Sequence, residues 1–164
     1  SRSEALVLRT YDIGDADRLC ILLTALSGRR AVIAKGVRKV GSKWGSAVQS
    51  FQHLTVELAE HSSGTYLRCA ECLAAFPAFR ADLRKFLLAS RGSELLLRLL
   101  HDTEPHVSVF TLAREYFHGV NAAPSPLLFE TFALALLRGG FYSDLAETAS
   151  SLRGMLHRGK DSAT

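Results

Sequence analysis

The spacing of apolar residues changes once along the chain, and that change limits what the chain can fold into. In "FQHLTVELAE" Leu54, Val56 and Leu58 alternate with His53, Thr55 and Glu57, the period of two of a half-buried strand. After Pro77 the pattern becomes helical. Leu83, Phe86, Leu87, Leu95, Leu96 and Leu99 recur at mostly three- and four-residue spacings, which lines one face of a helix. Such a chain is two units in series, strands first and helices second.

The strand unit reads as five short strands, at residues 4–10, 18–24, 29–35, 51–60 and 65–73. "YDIGDAD" has loop chemistry, and "ALSG" and "HSSG" read as turns. Five short strands at regular intervals suit a small barrel or sandwich. The helical unit begins at residue 80, with Gly92 as a break or kink. A second helix spans residues 107–118, and "GVNAAPSP" reads as a linker. Ser125 as N-cap and Pro126 at N1 start a third helix, which ends at Gly139-Gly140. Ser143 or Asp144 caps a weaker fourth helix to about residue 157, before a frayed tail. The expectation is an α+β chain, a five-stranded barrel over residues 1–78 and an all-α unit over residues 79–164.

Hydrophobic residues make up 48% of the 164 and charged residues 22%, enough to bury a core. The longest apolar run, residues 132–137, is far below the ~18 residues that span a bilayer. "SRSEALVL" does not read as a signal peptide, and residues 1–3 read as a remnant of processing or expression. Three cysteines fit a reducing cytosol rather than a disulfide scaffold, so a cytoplasmic protein is expected. The net charge is only +4, but it is unevenly placed. Residues 1–50 carry nine Lys/Arg against four Asp/Glu, residues 51–78 one against three, and residues 79–164 ten against nine. A field concentrated in the first third attracts polyanions, or serves a solvated basic loop.

No nucleophile elbow, HExxH or phosphate-cradling glycine loop is present, so catalysis is not expected. Cys69 and Cys72 form a C-x-x-C, the spacing of half a zinc site or of a redox pair. A second pair is missing, with only Cys20 left. Residues three apart on a strand point to opposite faces, and a redox pair sits at a helix N-terminus. Ordinary cysteines are therefore the expectation.

The charge is densest in "AKGVRKVGSKWG", residues 34–45, with four cations, three glycines, the only tryptophan and no acid. Lys35, Arg38, Lys39 and Lys43 can neutralise phosphates with release of counterions. Trp44 can stack on an unpaired base or pack on the barrel wall. Arg9, Arg18, Arg29, Arg30 and Arg68 lie in or beside strands, and extend the basic face or stand in solvent. "LLFETFALALLRGGF" is apolar around much of its circumference and reads as a core helix. The leucine-rich helices pack into a bundle or leave a groove for a partner peptide.

Several segments together resemble a known family. "EALVLRTYDIGDADRLCILLTALSGRRAVIAKGVRK" is similar to the start of the bacterial recombination-mediator protein RecO. The match rests on Glu4, Ala5, Val7, Leu8, Arg9, Gly14, Asp17, Arg18, Leu19, Gly28, Ala34, Lys35, Gly36 and Arg38. "AECLAAFPAFRADL" resembles that family's junction between barrel and helices, and "LLFETFALALLRGGFYSDL" its helix before a zinc module. The resemblance implies an N-terminal OB-fold and a helical C-terminal domain. It also implies binding of single- and double-stranded DNA, strand annealing, and work with RecR, the single-strand-binding protein and RecA. Many members place zinc-binding cysteines after the "DL" segment. Here Asp144-Leu145 is followed by "AETASSLRGMLHRG", so no zinc or other cofactor is expected. Two other readings remain beside DNA binding. One is an adaptor whose helical unit holds an acidic, hydrophobic-ended peptide. The other is a small metal or redox protein centred on Cys69 and Cys72.

Overall fold

The computed structural model describes residues 2–101 and 105–139. β1 (Arg2–Ile13) and β2 (Asp17–Thr24) form a hairpin whose register pairs Ile13 with Asp17 and Asp12 with Arg18. The sequence reading places residues 11–17 in a loop. The strand instead continues to Ile13, because Arg18 and Asp12 pair across it at 3.2 Å and Gly14, at φ 55°, makes the turn. β3 (Gly28–Ala34) runs antiparallel to β2. β4 (His53–His61) pairs with β1 on one side and with β5 (Gly64–Ala74) on the other. A parallel contact of β3 with β5 closes the barrel in the order β1-β2-β3-β5-β4. This is the five-stranded OB-fold barrel.

The barrel interior holds Ala5, Val7, Cys20, Leu22, Val32, Ala34, Leu54 and Val56. Leu6, Leu8 and Leu23 belong to a second cluster, shared with Phe76, Phe79 and the helices. β1 is therefore buried on both faces from Ala5 to Leu8, which is why its sequence runs apolar without alternation. The β1–β2 register skips Leu8, and the hydroxyl of Ser93, itself buried, donates to the Leu8 carbonyl. A polar helix residue thus satisfies the backbone group that the irregular pairing leaves over.

The helical half contains α1 (Ala78–Ala81), α2 (Leu83–Leu99), α3 (Val107–Ala122) and α4 (Pro126–Arg138). Asp82 caps α2 by accepting from the Arg84 and Lys85 amides at 2.9 and 3.3 Å. Gly92 neither breaks nor ends α2. It is buried where the ring of Tyr116 crosses from α3, and a Cβ there would collide with that ring. α3 runs four residues past the expected end at residue 118, since Val120 continues its buried face with Phe117. Ser125 and Pro126 start α4 as the sequence reading expects, with the Ser125 hydroxyl accepting from the Leu127 amide. The expected fourth helix, beyond residue 143, lies outside the described residues. Among the described residues no helix is long and apolar enough to cross a membrane.

Candidate nucleic-acid interface

Residues 35–52 join β3 to β4 over the barrel interior. Val37 and Val48 are buried in the interior cluster, and Trp44 and Ala47 pack against it. Trp44 is half-buried, and its carbonyl accepts from the Ala47 and Val48 amides at 3.0 Å each. The base of this segment is tied to the β1–β2 turn. The Gly36 amide donates to the Asp17 carboxylate at 2.7 Å, and the Arg38 amide to the Ala16 carbonyl at 2.9 Å. Gly36 and Gly41 take left-handed backbone angles, φ 66° and 81°, which let the segment fold back on itself.

The cations proposed from sequence divide into two groups. Arginines of the first group are engaged within the protein. Arg38 donates to the carbonyls of Ile13, Gly14 and Asp17 at 2.7–3.1 Å and lies 3.6 Å from Asp12. Arg18 bonds Asp12 and the Gly45 and Val48 carbonyls. Arg29 reaches the Leu97 and Leu100 carbonyls at the C-terminus of α2. Arg30 bonds Glu60 and Thr65, and the Glu60 carboxyl is held below its ordinary range by the Thr65 hydroxyl first and Arg30 second.

The second group faces solvent. Lys39 and Lys43 are exposed, and their ammonium groups have no hydrogen bond or ion pair among the described residues. Lys35 is exposed as well, its ammonium 5.8 Å from the centre of the Tyr66 ring on β5. Among the described residues the Arg9 guanidinium bonds the Tyr11 hydroxyl alone, at 3.4 Å, and that of Arg68 pairs with Glu57 alone, at 3.8 Å. The structure therefore gathers Lys35, Lys39 and Lys43 on one segment, pinned at its base by the arginines beside them.

Cys69 and Cys72 pair with Glu57 and Leu54 of β4 and so face opposite sides of β5. Burial raises the Cys72 thiol above its ordinary pKa, and that of buried Cys20 to about 11. Among the described residues no group of three or more His, Cys, Asp or Glu side chains is placed to hold a metal ion.

Two features had no sequence signal. Glu4 on β1 accepts from His53 and from Arg114 of α3, both at 3.0 Å, and His118 lies 3.3 Å from the other His53 nitrogen. The bond from His53 is the main reason the Glu4 carboxyl falls below its ordinary pKa. This cluster seals the seam between barrel and α3. The second is a cleft of about 500 Å³ between the end of residues 35–52 and the start of the helices. Its wall includes Phe51, the one described non-glycine residue with a left-handed φ, at 72°. That conformation is held by two bonds to β1, Phe51 amide to Val7 carbonyl and Val7 amide to Gln52 carbonyl. No residue pattern announces a left-handed phenylalanine.

Residues 1–76 match the family described as recombination protein O N terminal, and residues 80–153 that described as recombination protein O C terminal. The DNA repair protein RecO of Anaeromyxobacter dehalogenans (strain 2CP-C) is 34% identical over 135 residues, covering 80% of this chain and 53% of that protein. The DNA repair protein RecO of Heliobacterium modesticaldum is 36% identical over 146 residues, covering 88% and 53%. That of Myxococcus xanthus is 36% identical over 137 residues, covering 80% and 56%. The chain spans about half the length of the curated relatives it matches.

Proposed function

The chain belongs to the RecO family of DNA repair proteins, and from that premise we propose that it is a non-enzymatic recombination mediator that grips DNA through residues 35–43. The observation that carries this reading is the division of cations. Lys35, Lys39 and Lys43 project without acidic partners, whereas Arg18, Arg29, Arg30 and Arg38 already hold the framework together. Free lysines on an anchored segment exchange condensed counterions for contacts to phosphate, whatever the base sequence. Such a grip serves single and double strands alike. Annealing follows when one basic face screens two complementary strands at once.

In this reading the protein works in the bacterial cytoplasm, at the nucleoid, with RecR and the single-strand-binding protein, and assists the loading of RecA. It uses no zinc or other cofactor. A second reading, an adaptor for the tail of the single-strand-binding protein, has one observation in its favour. Leu112, Tyr116, Leu127, Leu128 and Phe132 line an apolar groove of about 360 Å³ between α3 and α4. The groove suits the hydrophobic end of such a tail, although the charged residue in its wall is Glu115, which repels the acidic part.

The test is a salt titration of DNA affinity with the K35A/K39A/K43A variant. These side chains are exposed, so the fold and its thermal midpoint stay as in wild type. If each lysine meets one phosphate, the slope of log affinity against log salt falls by about 2 for single strands. An unchanged slope, with unchanged affinity at matched salt, removes the assignment. Titrating the tail peptide separately tells the adaptor reading from the DNA reading.

A further inference from the structure

The cleft of about 500 Å³ lies where residues 35–52 end and the helices begin. Its volume is that of a small-molecule site, large enough for one nucleotide. Phe51, Phe76, Phe79 and Phe86 supply aromatic surface, and Arg18 and Arg80 supply charge. Among the described residues no acidic side chain lines it. Phe76 and Phe79 are buried and stacked on each other, 4.8 Å between centres, as a rigid floor. Phe51 and Phe86 meet edge to face at 6.0 Å, and Phe86 is 43% exposed. Arg80 is exposed, and its guanidinium has no hydrogen-bond or ion-pair partner among the described residues. Gln49 and Ser50 offer further donors and acceptors in the wall.

We propose that this cleft receives one unpaired nucleobase of a DNA strand held on the lysine segment, with Phe86 as the stacking face and Arg80 on the adjoining phosphate. The proposal rests on the DNA-binding reading above and adds a place where the protein tells single from double strands. Charge complementarity selects the occupant. An aromatic cleft with an unengaged guanidinium at its rim and no acid suits a flat ring attached to an anion. A duplex keeps its bases stacked inside and cannot fill it. The left-handed backbone of Phe51 fits this role, because it is a strained position held fixed by bonds to β1 beside an open cleft. The same segment carries the lysines, so a strand lying along them is led toward the cleft.

The experiment compares a normal single strand with one of equal length in which several internal nucleotides are abasic, so that phosphates remain and bases are missing. Wild type is expected to prefer the normal strand by about tenfold, the scale of one stacked base. Phe86→Ala and Phe86→Leu should both erase that preference while leaving duplex and abasic affinities at the wild-type level. Phe86→Leu keeps apolar volume against Phe51 but has no aromatic face. Retention of the preference by Phe86→Leu therefore overturns stacking in favour of packing. Arg80→Gln should weaken both strands by one factor and lower the salt slope by about 0.7. Equal wild-type affinity for the two strands overturns the cleft and leaves the lysine grip standing. Absence of wild-type binding to any DNA at low salt overturns both.

Discussion

Replacing Gly92 by alanine sets local propensity against tertiary packing, and the structure predicts the winner. In an isolated helix the change is favourable by about 1 kcal/mol, because alanine restricts the unfolded chain and suits the helix. Here α2 lies against α3 at that position. A Cβ on residue 92 would sit 2.8 Å from Cδ1 and 3.1 Å from Cζ of Tyr116, and closer still to Cε1. The ring has no easy retreat. It is stacked on Phe132 with centres 4.5 Å apart, its hydroxyl donates to the Leu88 carbonyl, and the residue is only 4% exposed. Forcing one carbon into a packed core costs about 1–3 kcal/mol. If the hydroxyl loses its acceptor, about 1–3 kcal/mol more follows. With both costs and less the gain in propensity, Gly92→Ala should destabilise the protein by roughly 1–5 kcal/mol. Urea unfolding followed by circular dichroism measures it as a lower midpoint at unchanged slope. In a Tyr116→Leu background the same change should turn neutral or stabilising, since the obstructing ring atoms are gone. A wild-type background in which Gly92→Ala raises the midpoint would refute the reasoning.

Two more outcomes follow from the seam between barrel and helices. Arg29→Ala should lower stability by about 1–3 kcal/mol through loss of charged donors to the Leu97 and Leu100 carbonyls. DNA affinity per folded molecule should stay unchanged. A fall in affinity without a fall in unfolding midpoint would instead make Arg29 a DNA contact. Acid should loosen the Glu4 cluster. The folded Glu4 carboxyl titrates below its ordinary value of 4.5, so its contribution is present above that pH and fades as pH falls through the folded value. Desolvation, then the charge of His53 and of Arg114, also lowers His118 below 6.5, so acidification acts in the same direction there. The effect is modest because Glu4 and His118 are partly open to water. Glu4→Gln should show a smaller loss of unfolding midpoint between pH 7 and pH 4 than wild type. Equal losses would mean that the carboxylate contributes nothing across the seam.

The sequence by itself determined the order of elements. Alternation through Leu54 and Val56, turn residues at regular intervals, Pro77, and the Ser125-Pro126 start are local statements that the backbone obeys. It also placed the charge, because Lys35, Lys39 and Lys43 have no nearby acid in sequence and, among the described residues, none pairs with them in space. Tertiary structure decided which cations are free. Arg18 and Arg38 look like Lys39 on paper, yet their guanidinium groups meet carbonyls of the 13–17 turn and of the 45–48 stretch, partners that only chain closure brings near. It likewise decided why Ala5–Leu8 are all apolar, since one face of β1 fills the barrel and the other meets the helices. The Gly92 contact with Tyr116, the Glu4–His53–Arg114 cluster and the cleft beside Phe51 belong to the same class. Each joins residues 24 or more positions apart, or sets a backbone angle through bonds to another strand, and periodicity carries no record of such pairings.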